Sequence, residues 1–492
     1  MLVTLVACYF AVTICIGFYA ARRVKNSADY LVAGRSLPLH MNTATVFATW
    51  FGAELILAVS STFLKEGLRG VVGDPFGAAF CLIFVAIFLA APYYRLKLMT
   101  VGDFYKKRYN RTIELASAAA ISISYLGWSS ANLVALGIVI HTVSGNAITL
   151  EQGIVLGAVI VGVYTLFGGM WSVAFTDLFQ TVIIVAGLIY IAWMLAGMAG
   201  GVDKVVATAQ ASDRLKLFPS ASLHDWLGFI AAFVTMALGS VAQQDVFQRV
   251  TSARTEKIAR QGTLLGGSLY LLMAFIPMFI AVSALLIDPA MVKQMLSNEN
   301  DFQQVLPTLI LQRTPLFAQV LFFGALLSAI LSTASGTLLA PTAVITENVI
   351  QPLWGHKLSD RKMLVLLRLI LIGFTCCVTL FALQSESSMY QMVQDAYKVT
   401  LVAAFTPLVF GMFWRRATPQ GALLSMVCGV VAWQYAEHFM SDALVPPQLV
   451  GLGSAIVGMI VGSLAPTLLG GQGHPEIVDL ARQPEVADNP PA

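Results

Sequence analysis

The chain has 492 residues, 58% of them hydrophobic and only 11% charged, with a formal net charge of +3. Soluble domains carry roughly a quarter charged residues, so this composition excludes an ordinary water-soluble protein, and so small a charge points to no nucleic acid. Apolar stretches of about 20 residues, the length that crosses a bilayer, recur almost to Gly470 with no polar domain between them, so one polytopic membrane unit is expected over residues 1–470.

Hydropathy and turn residues predict an all-α protein with thirteen transmembrane helices, at 2–21, 40–63, 75–94, 112–142, 152–170, 176–199, 225–247, 263–287, 317–345, 364–383, 389–413, 420–439 and 447–469. Leu2–Ala21 has no basic region before it and exceeds a secretory core in length, so it reads as a retained span, not a signal peptide. An odd count puts the two termini on opposite sides. Basic residues crowd the loops after odd-numbered spans, as in Arg22, Arg23, Lys25 and Arg35, then Arg95 through Arg111, Arg249 through Arg260, Lys357 through Arg368, and Arg415 with Arg416. Loops on the other side carry only Lys65, Arg69, Lys204, Arg214, Lys216, Lys293 and Arg313. Basic loops stay in the cytoplasm, which predicts an N-terminus outside and a C-terminus inside. Residues 471–492, rich in Pro, Glu, Asp and Gln, read as a disordered cytoplasmic tail. Cys8, Cys15, Cys81, Cys376, Cys377 and Cys428 all fall in apolar runs without metal-ligand spacing and read as buried free thiols.

Two spans carry features that a purely structural membrane helix avoids. The second places Asn42, Thr43, Thr45 and Thr49 at mid-depth and reaches Glu54; five spans later the seventh is interrupted at Gly239-Ser240-Val241-Ala242-Gln243-Gln244. Broken segments at matching places in two halves point to an inverted repeat with a midplane binding site. Residues 40–199 would pair with 225–413 in a five-plus-five core.

Four motifs then carry a family likeness: Ser27-Ala28-Asp29-Tyr30-Leu31-Val32-Ala33-Gly34-Arg35; Phe167-Gly168-Gly169-Met170-Trp171-Ser172-Val173-Ala174-Phe175-Thr176-Asp177 with Gln180; Gln243-Gln244-Asp245-Val246-Phe247-Gln248-Arg249; and Ala329-Ile330-Leu331-Ser332-Thr333-Ala334-Ser335. In this order and at these depths the chain resembles the sodium/solute symporter family, which includes sodium-coupled proline, sugar and pantothenate carriers. The resemblance covers residues 1–470 and implies sodium as the coupling ion, with a ten-helix core preceded by one helix and followed by two. It also implies a sodium site built from the Ser332 and Thr333 hydroxyls, the Ala329 carbonyl and, by alignment of the broken second span, the Ala48 and Phe51 carbonyls. Without it, Ser332 and Thr333 would simply bond back to their own helix. Asp177 has two readings: an N-cap at the start of the sixth span, or, as the resemblance implies, a residue that affects sodium coupling.

Glu54 is not implied by the family. Intramembrane charges face a cavity or a partner, so its carboxylate pairs with a solute ammonium, forms an ion pair with Lys398, or is hydrated near the outer face. If Lys398 faces the cavity instead, a carboxylate solute is favoured. Proline carriers hold aromatics where this chain has Met236 and Ser240, which counts against proline. Candidate solute contacts are Thr49, Glu54, Trp128, Asn132, Met236, Ser240, Gln243 and Lys398. Asp245 and Arg249 have i, i+4 spacing and read as a local pair; Glu437 and His438 read as interfacial, and His141 as a hydrated span end.

The expected activity is sodium-coupled symport of an amino acid or other amine-bearing solute across the cell membrane, by alternating access. A monocarboxylate or other organic-anion symporter and a solute sensor on a transporter module are the alternatives; the short tail favours transport. Solute, sodium and lipid are the expected partners, with no organic cofactor, no nucleic acid and no protein partner to infer. No nucleophile with a paired base, metal-spaced His/Cys set or phosphate loop is present, so an enzyme is not expected.

Overall fold

The structure, a computed structural model, describes residues 2–219, 222–297, 302–354, 358–385, 387–440, 443–466 and 474–482. Among them every named element is helical, and the only β contact is an isolated bridge between Leu37 and Ala253. Helices satisfy their own backbone polar groups, which hydrocarbon requires.

The principal helices are α1 (Leu2–Ala21), α2 (Leu39–Trp50), α3 (Glu54–Arg69), α4 (Val72–Leu96), α5 (Val101–Arg108), α6 (Arg111–Val143), α7 (Leu150–Ala199), α8 (Leu223–Ala242), α9 (Gln244–Thr251), α10 (Glu256–Ile287), α11 (Leu316–Leu353), α12 (Asp360–Gln384), α13 (Met389–Phe413), α14 (Pro419–Phe439), α15 (Pro447–Leu464) and α16 (Glu476–Arg482). Ten of these are long and apolar enough to cross a bilayer, and α2 with α3, bent by 52°, would make an eleventh. The 21-residue α14 has spanning length but is less apolar.

At 50 residues α7 is two arms joined at Gly169, whose φ of 49° and ψ of −140° break the helix. An added Cβ there would lie 2.4 Å from the Tyr30 carbonyl, so both the backbone angle and the space require glycine. The single-residue break means that residues 171–175, expected as a loop leading to a capped span, are already helical. Asp177 is therefore not an N-cap.

Loops that were sorted together by charge meet at one end. Arg95 pairs with Glu256 at 2.6 Å, Arg35 donates to Leu98 O at 2.8 Å, Arg368 to Leu166 O at 3.2 Å, and the buried Arg108 to Gly411 O at 2.9 Å. Glu114, fully buried, lies 2.7 Å from Arg111, and Asn348 joins it (2.9 Å), Asp103 and Thr100, tying α5 and α6 to the end of α11. At the opposite end Arg214 donates to Leu64 O, Tyr390 to Gly70 O, and Arg313 to Asp288, whose carboxyl this bond holds below its ordinary range. A cavity of about 550 Å³ opens there, lined by Thr62, Lys65, Glu66, His141, Gln303 and Tyr390 among others. His141 also contacts Ile148 O through Nδ1 at 2.7 Å, closing the turn after α6.

The segment expected to be a disordered tail contains α16, which buries Ile477 and Val478 and pairs Asp479 with Arg415 at 3.0 Å; residues 467–473 and 483–492 lie outside the described ones. Of the cysteines only Cys81 is buried in the protein; Cys8, Cys15, Cys376 and Cys377 sit on outward faces of α1 and α12, where lipid replaces protein as the apolar surroundings.

Candidate functional site

Helix α2 stops at Trp50. Phe51 leaves helical geometry (φ −81°, ψ 71°), and the Gly52 amide turns to Trp50 O at 2.9 Å instead of completing the helical bond to Ala48 O. Breaking the ladder at residues 51–53 is what frees carbonyls at mid-depth. In the other half the chain turns extended at Gln243 (φ −74°, ψ 140°) between α8 and α9. Both interruptions expected from the sequence are thus present.

Helix α11 crosses the first break. A Cβ on Gly52 would come within 2.8 Å of Thr333 Oγ1, and that hydroxyl is buried without a hydrogen-bond partner. Its neighbour Ser332 does not bond back to its own helix; its hydroxyl donates to Asp177 Oδ1 at 2.5 Å, while Asp177 Oδ2 is buried and unpartnered. An unsatisfied buried polar group costs about 1–3 kcal/mol, more when charged. Two such oxygens, a serine hydroxyl and a broken helix in one place form a hard-oxygen set suited to a small cation. Ala48, Phe51 and Ala329 are fully buried beside them.

On the side of the break away from the basic end sits a second cluster. Glu54 begins α3, half-buried, with Oε1 unpartnered. Its charged neighbour is Asp74, an extended residue (φ −128°, ψ 116°) inside α4 that accepts a hydrogen bond from Tyr270. No Lys, Arg or His lies within ion-pair distance of either carboxylate among the described residues. Lys398, expected as Glu54's partner or as a cavity cation, is neither. It pairs with Asp395 at 2.9 Å and approaches Glu437 at 3.8 Å, because its position on α13 faces α14. Glu437, expected at the interface, also accepts from Trp433 at 3.1 Å.

Beside the break, Trp128 on α6 packs against Trp50 (5.8 Å between rings), Tyr397 (5.6 Å) and Tyr125 (6.0 Å), and Trp50 stacks on Tyr397 at 6.3 Å. The Tyr397 hydroxyl is buried without a partner. Asp245 anchors this box, accepting from Trp50 Nε1 at 3.1 Å and Tyr125 Oη at 2.5 Å. Asp245 and Arg249 do not form the expected local pair. Arg249 Nε donates instead to Thr49 Oγ1 at 3.1 Å, and both its η nitrogens lack partners.

The remaining candidates divide. Met236 packs near Gly73 and Gly77, close to the Asp74 break, and Ser240 Oγ is buried and unpartnered. Asn132 donates to Trp128 O (2.9 Å) within its own helix, and Gln243 is bound to Ser124 (3.0 Å) and Thr400 (3.4 Å), so both amides are occupied by protein. Asp74, Tyr270, Trp50, Tyr125 and Tyr397 were missed. Asp74 had a signal, an acid beside an apolar run, but the third span was started one residue after it.

A sequence profile described as the sodium:solute symporter family matches residues 30–429. The high-affinity proline transporter PutP of Bacillus subtilis is 26% identical over 444 residues, covering 87% of this chain and 91% of that protein. The human high affinity choline transporter 1 is 24% identical over 437 residues, covering 86% and 74%. A Na+-coupled sialic acid symporter, solved in a substrate-bound outward-open state, superposes with a TM-score of 0.79 at 18% identity, covering 94% of this chain and 98% of that one, a likeness of fold. With the profile spanning most of its length, the chain belongs to the sodium:solute symporter family.

Proposed function

We propose that the chain is a sodium-coupled symporter of a small solute bearing an ammonium group. The observation that carries the solute class is that the neighbouring Glu54 and Asp74 carboxyls have no cationic partner among the described residues. A buried charge left without a partner is strongly destabilising, and Lys398, the cation that would have neutralised it from within, is engaged by Asp395 and Glu437. The solute then supplies the missing cation. Trp50, Trp128 and Tyr397 cluster beside the same break, and aromatic faces attract ammonium groups by about 0.5–2 kcal/mol. The organic-anion reading depended on Lys398 facing the cavity, and its pairing with Asp395 and approach to Glu437 count against that.

Sodium, the co-transported ion, would be held by Thr333 Oγ1, Ser332, Asp177 and the carbonyls of Ala48, Phe51 and Ala329. The unpartnered Thr333 and Asp177 oxygens support this set. The protein would span the cell membrane thirteen times, with the two arms of α7 counted separately and α14 included, its basic end in the cytoplasm. The tied basic end and the cavity at the opposite end support an outward-facing form in an alternating-access cycle. Binding of sodium against the α2 break would favour that form and raise solute affinity by a reciprocal coupling.

The test is a thermal-shift screen of purified protein in sodium against amino acids, quaternary amines, monocarboxylates and sugars, repeated with Glu54→Gln. An ammonium-bearing solute should raise the wild-type Tm, and Glu54→Gln should remove the shift. Stabilisation by a neutral sugar alone, unchanged in Glu54→Gln, would refute the solute class.

A further inference from the structure

The sodium set and the solute cluster leave one buried charge unexplained. Arg249, 1% exposed, holds Thr49 through Nε, yet Nη1 and Nη2 meet no acceptor. Asp177 and Asp245 are its charged neighbours, but neither carboxylate comes within ion-pair distance. Membrane proteins do not leave a guanidinium in this condition without a use for it.

Its position suggests the use. Thr49, in the last turn of α2, precedes Gly52, which abuts Thr333, by three residues across the break. Gly336, whose added Cβ would lie 2.6 Å from Arg249 Nη2, follows Thr333 by one turn on α11. Helix α2 runs away from the basic end and α11 runs toward it, so both displacements point the same way. The guanidinium lies between the sodium set and the basic end, and α9 carries it there directly from the Ser252–Arg254 loop bonded to Leu37. A sodium ion leaving the set toward that end would meet a positive charge that lies close against α11 where Gly336 carries no side chain.

We propose that Arg249 is the electrostatic gate on sodium's path to the basic end, a positioning residue that prevents sodium from crossing without solute. The inference rests on the proposed sodium set. Opening requires the guanidinium to leave Thr49 and Gly336, and the unpartnered Oδ2 of Asp177 offers it an acceptor once the ion has gone.

The experiment is radioactive sodium flux into proteoliposomes without solute, alongside the sodium dependence of Tm for the same proteins. Arg249→Gln should raise solute-independent sodium flux at least tenfold, and Arg249→Lys, which keeps the charge, should not. Gly336→Ala, whose methyl displaces the guanidinium while leaving every charge in place, should leak as well, and it carries the test if Arg249→Gln does not fold. A wild type that sodium stabilises, combined with a tight Arg249→Gln or a tight Gly336→Ala, overturns the gate while leaving the sodium set standing. Equal leak in Arg249→Lys also overturns it, because charge is then not the cause. If sodium fails to stabilise the wild type, the sodium set itself is wrong and the gate falls with it.

Discussion

The basic end and the mid-depth region differ in how their charged groups are partnered. At the basic end Glu114 is held by Arg111 and Asn348, Glu256 by Arg95, and Arg108 by the carbonyls at the end of α13, with only single guanidinium nitrogens of Arg35 and Arg108 left over. At mid-depth Glu54, Asp74, Asp177, Thr333 and Arg249 are buried or half-buried with oxygens or nitrogens left over, or with charges uncompensated. Partnered groups close a surface against itself, whereas unpartnered ones in low dielectric carry a cost that a ligand can remove. The contrast separates residues that tie the fold from residues that await something mobile.

Three substitutions would break or sharpen that contrast. The largest effect is expected for Glu114→Ala, which removes the acceptor shared by the buried Asn348 amide and the part-exposed Arg111; losing a hydrogen bond to a buried charged group costs about 1.5–3 kcal/mol, read as a lower Tm in detergent without solute or sodium. A Tm unchanged by Glu114→Ala would mean that the tie at the basic end is not structural. Asp74→Asn should behave the other way round. Folding in the absence of ligand should hold or improve, while solute affinity falls at least tenfold, about 1.4 kcal/mol, in a binding titration. Loss of fold without loss of affinity would move Asp74 into the structural class. The smallest effect is expected for Lys398→Met, since its partner Asp395 is well exposed and such pairs contribute about 0–1 kcal/mol. Abolished solute binding in Lys398→Met would restore that lysine to the site.

Much of the fold was legible because hydrocarbon imposes a simple rule: apolar runs of spanning length mark helices, and basic loops sort by side. The two broken helices were also visible, since Gly52 and the Gly239–Gln244 stretch stand out in apolar surroundings. What the sequence hid was partnership. The i, i+4 spacing of Asp245 and Arg249 suggested a local pair, but the side chains diverge, one to Trp50 and Tyr125, the other to Thr49. Lys398 was the natural counter-ion for Glu54 until α14 brought Glu437 beside it. Asp177 looked like a helix cap because the sixth span was expected to begin at residue 176, whereas a single glycine at 169 makes the whole turn and the helix resumes at once. The partners of Asp245, Arg249 and Asp177 lie on helices far away in the chain, which local spacing does not encode.

The central claim is that the unpartnered oxygens around Thr333 and Asp177 await sodium. The most direct measurement is the Tm of the purified protein titrated with sodium chloride against choline-free potassium chloride at constant ionic strength, for wild type, Thr333→Ala and Asp177→Asn. A ligand that binds the native state stabilises it by about 2.7 kcal/mol at a hundred times its Kd, so the wild-type Tm should rise with sodium and not with potassium, and both variants should lose that rise. A wild-type Tm indifferent to sodium, or a rise preserved in both variants, would contradict the account.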